Sequence, residues 1–409
     1  MKSIKPYQSL HITILLGMSL LVGSLACLPV YAKEPLVSSA VYKAVQNAEK
    51  QLENSAYAKA LQPLKALIAE SKSGSYDQAV VWKTIGAIYT AQGNYQAAAD
   101  ALEKSLVGDA LPEQQRLDVQ FNLGQVYLAL NQYQQALAVL KPWIEQNQSP
   151  SAHDNLLLAQ LYSELKQYDQ ALIYAKRLLK NKNPPENHYQ MVIAINFELK
   201  KYADAGRLLE TLVQRFPDNK TYWQQLAASY QYSGNYHKTT AVKDLAYRAK
   251  LLNRPDDILQ LAQLYNYTGS PYLAAQLLEK EMKGGALPKS SKNLTQLSDT
   301  WFQAREYQKA ATALSKAAKK LNSGEIYLRL GGLYFEQQDW QNAYTSLKTA
   351  VSKSGLKKPG NAWLLYGMSA HEINLDDEAK QAFTKAMDYT YSRSGAQQWL
   401  NSMEENSDF

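Results

Sequence analysis

Cysteine is almost absent from this chain: its 409 residues contain one, Cys27. Because Cys27 lies in an N-terminal apolar run, the body of the chain is left without disulfides, thiolate metal ligands or a cysteine nucleophile. Histidine is also scarce, at five residues. His153, His188 and His237 stand apart, with no carboxylate pattern around them, and read as surface residues. His371–Glu372 opens like a helical zinc-protease motif, but position 375, one turn on, is leucine, so the second ligand is missing. There is no Gly-x-Ser-x-Gly elbow, Walker loop or dinucleotide fingerprint. Asp376–Asp377–Glu378 reads as an acidic helix start that complements the helix dipole. No catalytic residue, metal or cofactor is therefore expected, and the chain is not expected to be an enzyme. With 46% hydrophobic and 20% charged residues, it is neither disordered nor an integral membrane protein by composition.

The N-terminus is a separate matter. Lys2 and Lys5 precede an uncharged run from Ile12 to Leu28, and Val30–Tyr31–Ala32 supplies small residues at the −3 and −1 positions of a signal-peptidase site. Residues 1–32 are predicted to be a secretory signal cleaved after Ala32, which makes the mature chain periplasmic. The alternatives are an uncleaved helix anchored in the inner membrane and a lipoprotein acylated at Cys27, for which Ser24–Leu25–Ala26 is a poor lipobox. A cysteine-free chain also avoids mispairing in an oxidising compartment.

Charge is distributed unevenly. Residues 280–360 carry 14 Lys/Arg against 6 Asp/Glu, residues 361–409 carry 3 against 8, and residues 33–279 are near neutral at 25 against 23. The basic stretch, with Lys316, Lys319, Lys320, Lys357 and Lys358, is either a solvated face or a docking surface. A docking surface would take an acidic partner or anionic lipid headgroups, the latter giving peripheral membrane association. Nucleic acid is excluded as a partner by export and by the lack of a binding motif.

What the chain has in abundance is a pattern repeated ten times at intervals of 33 to 38 residues. A small residue is followed by an aromatic at +3, a second aromatic at +9 and an alanine at +12. Clear copies are Gly86–Tyr89–Tyr95–Ala98, Gly124–Tyr127–Tyr133–Ala136 and Ala159–Tyr162–Tyr168–Ala171; later ones include Ala227–Tyr230–Tyr236–Thr239, Ser298–Trp301–Tyr307–Ala310 and Gly331–Tyr334–Trp340–Ala343. Such a period predicts stacked helical hairpins, each burying its apolar face only against its neighbours. In the second unit, Trp82, Ile85 and Tyr89 share a face of a first helix over about 79–91, Gly93–Asn94 breaks it, and a second helix starts near Tyr95. Gly86 and Ala98 are expected to let the two helices approach closely. Prolines fall between units, at Pro112, Pro150, Pro184, Pro217, Pro255, Pro288 and Pro359, whereas Pro63 and Pro142 fall inside second helices and predict a bend or a late start. The first and last units are degenerate: Gln51, Tyr57 and Ala60 keep half the pattern, and Gly367, Ala370, Asp376 and Ala379 lack both aromatics. Decay at the ends is what capping predicts.

Trp82, Ile85, Gly86, Tyr89, Tyr95, Ala98 and Leu102, followed by an inter-unit proline, resemble the tetratricopeptide repeat over nearly all of residues 41–390. The resemblance implies an all-α, right-handed superhelical solenoid of about ten hairpins, with first helices lining a concave groove, and a scaffold that binds proteins or peptides. The organisation expected is a signal at 1–32, a solenoid at 33–390, and a capping helix with a frayed tail at 391–409. A narrower likeness lies in residues 220–290, in Trp223–Gln–Gln–Leu–Ala–Ala–Ser–Tyr230, Asp244–Leu–Ala–Tyr247, Leu261–Ala–Gln–Leu–Tyr265 and Gly269–Ser–Pro–Tyr–Leu–Ala–Ala275. It resembles periplasmic tetratricopeptide proteins encoded beside TonB, ExbB and ExbD genes in marine gammaproteobacteria. That implies an accessory of TonB-dependent uptake; a scaffold for peptidoglycan synthesis or outer-membrane maturation is the alternative. Pro271, where other units have an aromatic, departs most from the repeat.

The residues one step beyond the small and first-aromatic positions are expected to face the groove. These are Gln125, Gln160, Gln231, Gln263, Asn266 and Ser163, with Phe197, Phe302 and Phe335; Tyr232 and Tyr267 lie one step further round. Amide and aromatic side chains suit an extended peptide, whose backbone needs both donors and acceptors.

Overall fold

The computed structural model describes residues 36–147 and 149–405. The predicted signal, its cleavage point at Ala32 and the last four residues of the tail lie outside the described residues. The described residues form an all-α solenoid: 21 α-helices, one 3₁₀ turn at Val107–Asp109 and no strand. The chain divides into two compact units at residues 208/209. In the first, hairpins pair α1 (Ser39–Glu53) with α2 (Tyr57–Glu70), α3 (Tyr76–Gln92) with α4 (Tyr95–Ser105), α5 (Glu113–Ala129) with α6 (Tyr133–Gln146), and α7 (Ala152–Glu164) with α8 (Tyr168–Leu178). They are followed by α9 (Glu186–Glu198), and α10 (Tyr202–Arg215) contains the division. In the second, α11 (Lys220–Tyr232) pairs with α12 (Tyr236–Arg248), α13 (Pro255–Tyr267) with α14 (Pro271–Gly284), α15 (Ser291–Gln303) with α16 (Tyr307–Leu321), α17 (Gly324–Glu336) with α18 (Trp340–Ser352), and α19 (Pro359–Glu372) with α20 (Asp376–Met387). A final helix, α21 (Thr390–Glu405), packs on the last pair; its Trp399 stacks on Phe383 at 5.7 Å.

One turn geometry closes every hairpin. A single residue of positive φ follows the first helix: Ser55, Gly93, Asn131, Lys166, Lys200, Gly234, Gly269, Arg305, Gln338 and Asn374. The amide after it donates back to the carbonyl at the first-aromatic position, as in Asn94 N–H to Tyr89 O (2.9 Å), Gln132 to Tyr127 (2.8 Å), Asn235 to Tyr230 (2.8 Å) and Glu306 to Trp301 (2.9 Å). This bond satisfies a carbonyl that the helix end would leave orphaned and turns the chain into the second helix. The break expected at Gly93–Asn94 is thus general, but only three of the ten turns use glycine.

Close approach of the two helices has an equally regular cause. A Cβ added at Gly86 would meet Leu102 Cγ at 2.6 Å; at Gly124, Leu140 at 2.4 Å; at Gly331, Leu347 at 2.5 Å; and at Gly367, Phe383 at 2.6 Å. The small residue and the apolar side chain sixteen positions on therefore share one volume. Elsewhere the pair is Ala48–Leu64, Ala159–Ala175, Ala262–Leu278 or Ser298–Leu314, all buried. Two hairpins depart from the rule: the fifth has Ile193 in the small position, with Leu209 sixteen residues on. The sixth has Thr239 where the others have alanine, and Lys243 where they have leucine, alanine or phenylalanine. Lys243 donates to Gln260 of α13 at 2.8 Å. Burial lowers its pKa, an effect the Asp257 carboxylate partly offsets. Asp257, itself buried, is held by Arg254 at 3.2 Å and Lys220 at 3.4 Å, and these outweigh the cost of its burial and leave its pKa low.

Prolines act mostly at helix starts: Pro255, Pro271 and Pro359 occupy the first turn of α13, α14 and α19, and Pro112 caps α5. Pro150 and Pro288 present carbonyls to Asn155 and Asn293 side chains five residues on, at 2.8 and 2.9 Å. The late starts considered for Pro63 and Pro142 do not occur, since α2 and α6 begin at Tyr57 and Tyr133 and run through both prolines.

Candidate functional site

The first helix of each hairpin leads into the turn residue, and the candidate groove residues lie in its last two turns. In the first unit this surface is occupied by the protein's own contacts. Gln125 is half-buried and its amide nitrogen lies 3.2 Å from Nε2 of His153 on α7. Gln160 is half-buried, and the Ser163 hydroxyl donates to the Ala159 carbonyl at 2.7 Å. Phe197 is buried and meets Tyr202 edge-on at 5.8 Å.

The second unit differs. Gln231 and Gln263 are exposed, Tyr232 is 51% exposed, Tyr267 70% and Phe302 40%. Phe302 packs edge-on against Tyr307 at 5.4 Å, and the half-buried Phe335 against Trp340 at 5.0 Å. Each phenylalanine, Phe197 included, is thus braced by the second aromatic of its own turn. Where Pro271 replaces that second aromatic, the pairing crosses to neighbouring hairpins: Tyr267 meets Tyr236 at 4.5 Å, and Tyr272 meets Trp301 edge-on at 5.4 Å. Tyr272, Leu273 and Tyr307 are also exposed, which gives α11–α16 a strip of aromatic side chains. Reading Pro271 as a mere departure from the repeat missed Tyr272 and Leu273; the signal was an aromatic displaced by one residue. A shallow hollow of about 420 Å³ opens at the α11–α12 turn, between Ser233, Gly234, His237 and Tyr267. Asn266 is only partly satisfied: its amide reaches Thr300 Oγ1 at 3.5 Å, while its buried oxygen lacks a hydrogen-bond partner.

The remaining polar groups form bonds within and between hairpins. Tyr127 donates its hydroxyl to Glu103 of the preceding hairpin, and Tyr230 to Glu210; burial and then this bond raise both phenol pKa values. Tyr265 is pushed up to about 12 by burial and by Asp244. Glu378 accepts from Tyr366, Lys348 and Tyr344, which together draw its pKa down to about 2. His371 Nδ1 lies 2.7 Å from Asp376 Oδ1. Among the described residues no group of three His, Cys, Asp or Glu is arranged to hold a metal. Of the basic residues, Lys316 lines a cleft with lysines of α14 and α16, Lys319 and Lys320 are exposed at the end of α16, and Lys357 and Lys358 sit in the loop before α19. The Lys357 amide is anchored to Glu325 at 3.1 Å. What this surface offers is stacking faces, amide pairs and ammonium groups, the chemistry of binding.

Residues 77–141 and 121–188 match family models described as tetratricopeptide repeat, so that repeat is present over residues 77–188. No curated protein matches the chain in sequence. Among solved structures, it is similar to a MamA protein at 23% identity, over 41% of this chain and 90% of that one, with a TM-score of 0.33. A tetratricopeptide repeat protein from Parabacteroides merdae is similar at 15% identity, over 60% and 93%, with a TM-score of 0.37. YrrB, described as a tetratricopeptide protein with an unusual peptide-binding site, is similar at 15% identity, over 45% and 90%, with a TM-score of 0.36.

Proposed function

We propose that this chain is a periplasmic scaffold whose aromatic strip on α11–α16 holds an extended segment of a cell-envelope protein. The observation that carries the reading is the exposure of Tyr232, Tyr267 and Phe302 on rigid helix ends, beside exposed Gln231 and Gln263. Aromatic rings supply large contact area at low conformational cost, and glutamine amides supply the donors and acceptors a peptide backbone needs. Tetratricopeptide hairpins are built for contacts of this kind. Export rests on the apolar run and the Val30–Tyr31–Ala32 site in the sequence. No described helix is long and apolar enough to cross a membrane. The partner we favour is a component of the TonB energy-transducing complex, on the strength of the residue 220–290 likeness; the alternative is an enzyme of peptidoglycan synthesis or outer-membrane maturation.

The test is affinity capture from envelope extracts with the wild-type chain and a Tyr232→Ala/Phe302→Ala variant. A TonB-complex component captured by the first and lost from the second is the expected result. Capture of envelope-assembly enzymes in its place would favour the alternative. Equal capture by both proteins would reject the aromatic strip as the binding face.

A further inference from the structure

A cleft of about 590 Å³ opens between α14, α15 and α16, built by different residues from the aromatic strip. Its floor is apolar, formed by Leu294, Leu297 and Trp301, which are almost wholly buried. Four lysines ring it, Lys283 from α14, Lys289 from the α14–α15 loop, and Lys309 and Lys316 from α16, against a single carboxylate, Glu279. Lys309 is committed: it pairs with Glu306 at 3.1 Å and lies 4.5 Å above the Trp301 ring. Lys283, Lys289 and Lys316 stand in no ion pair among the described residues. Three ammonium groups outside any ion pair, with Glu279 the one carboxylate beside them, thus surround a hydrophobic hollow of a size that holds ligands.

We propose that this cleft is a second docking site, for an acidic segment of a partner protein that carries an aliphatic or aromatic anchor between Asp or Glu residues. The floor favours burial of the anchor, and low-dielectric walls strengthen the field of the surrounding lysines. The spread of the charges selects among anions. A fatty acid or a phosphate headgroup concentrates its charge at one point, and a membrane presents a plane. The lysines come instead from two helices and a loop and surround a concavity, which fits carboxylates spaced along a peptide on both sides of one apolar residue. The cationic ring repels basic segments by the same field, so the site discriminates by charge as well as by shape.

The test uses the full chain and three labelled peptides in fluorescence anisotropy: one with a Leu-Phe pair flanked by Asp and Glu, its charge-inverted Lys/Arg counterpart, and a version with Gly-Gly in place of Leu-Phe. Only the first is expected to bind, with affinity that falls as salt is raised. Lys283→Glu/Lys316→Glu should weaken it roughly tenfold or more without moving the melting temperature, because both side chains are exposed. Thr312→Trp, on the exposed wall, should block it sterically. Tyr232→Ala/Phe302→Ala should leave it unchanged, which separates this site from the aromatic strip. Binding that is indifferent to the lysine reversal, or equal for the Gly-Gly peptide, would overturn the proposal. So would capture of oleate or of phosphatidylglycerol vesicles by a chain that ignores the acidic peptide.

Discussion

The volume shared between Gly124 and Leu140 makes a prediction of opposite signs for one chemical change. Within a helix, glycine to alanine normally stabilises by about 0.5–1 kcal/mol, because it removes backbone freedom from the unfolded chain. Gly332 on α17 has open space around its missing Cβ, so Gly332→Ala should show that gain. At Gly124 the new Cβ would sit 2.4 Å from Leu140 Cγ and 2.7 and 2.8 Å from the two methyl carbons. Leu140 is fully buried, so swinging it away would displace packed neighbours. Overpacking of that kind costs about 1–3 kcal/mol, enough to cancel the helix gain and leave a net loss. Leu140→Ala alone should cost about 2–5 kcal/mol through the cavity it opens. Combined, the two changes rebuild the Ala159–Ala175 arrangement already present in the next hairpin. The double variant should be more stable than the sum of the singles by about 1 kcal/mol or more. Urea titrations followed by circular dichroism give the four corners of the cycle, and hydrogen exchange at α5 and α6 assigns the change to that hairpin. Gly124→Ala matching Gly332→Ala in sign, or a cycle additive within about 0.5 kcal/mol, would refute the shared-volume argument.

Three other outcomes follow from the same structure. Lys243→Leu restores the apolar residue that the other hairpins carry, and should raise the urea midpoint by the equivalent of about 1 kcal/mol at pH 7. Because the folded pKa of Lys243 lies below its unfolded value of 10.5, the wild type gains stability as pH rises between the two, so the variant's advantage should shrink toward pH 10; an advantage constant with pH would show the ammonium to be fully solvated. Lys200→Gly relieves a positive φ of 56° and should stabilise by about 0.5–1 kcal/mol in a thermal melt, and a loss there would show that the side chain holds the turn. Glu378, with its folded pKa near 2, contributes stability that is complete above its unfolded value and is lost as pH falls through the folded one; Glu378→Gln should flatten the acid dependence of hydrogen exchange in α18–α20 between pH 4.5 and 2, and an unchanged profile would exclude Glu378 as its source.

The architecture was legible because its determinants are local and repeated. The spacing of Gly86, Tyr89, Tyr95 and Ala98 placed the helices, the turn and the close approach, since each of these depends on residues within one hairpin. Turns at Lys166, Lys200, Arg305 and Gln338 carry no glycine, and their positive φ values are imposed by the hairpin on both sides. The candidate site was legible only in part. Register put Tyr232, Tyr267 and Phe302 on one surface, and the structure leaves them exposed. It could not separate Phe302 from Phe197, because exposure depends on what the neighbouring hairpin covers. Nor could it gather Lys283, Lys289 and Lys316, which lie 33 residues apart at the extremes and meet through the packing of two hairpins.

The charged seam at Lys243 and Asp257 has a mechanical consequence. In a one-dimensional array each hairpin grips only its neighbours, so load applied to the ends passes through every interface in series, and the weakest one yields first. The α12–α13 boundary, which Lys243 crosses to reach Gln260 beside the buried Asp257, is polar at its centre and is the expected point of rupture in the second unit. Tyr236 on one side of that boundary packs, with its ring tilted, against Tyr267 on the other. A peptide laid across both rings would therefore act as a splint: its binding would raise the force at which the seam opens, and tension strong enough to open the seam would release the peptide.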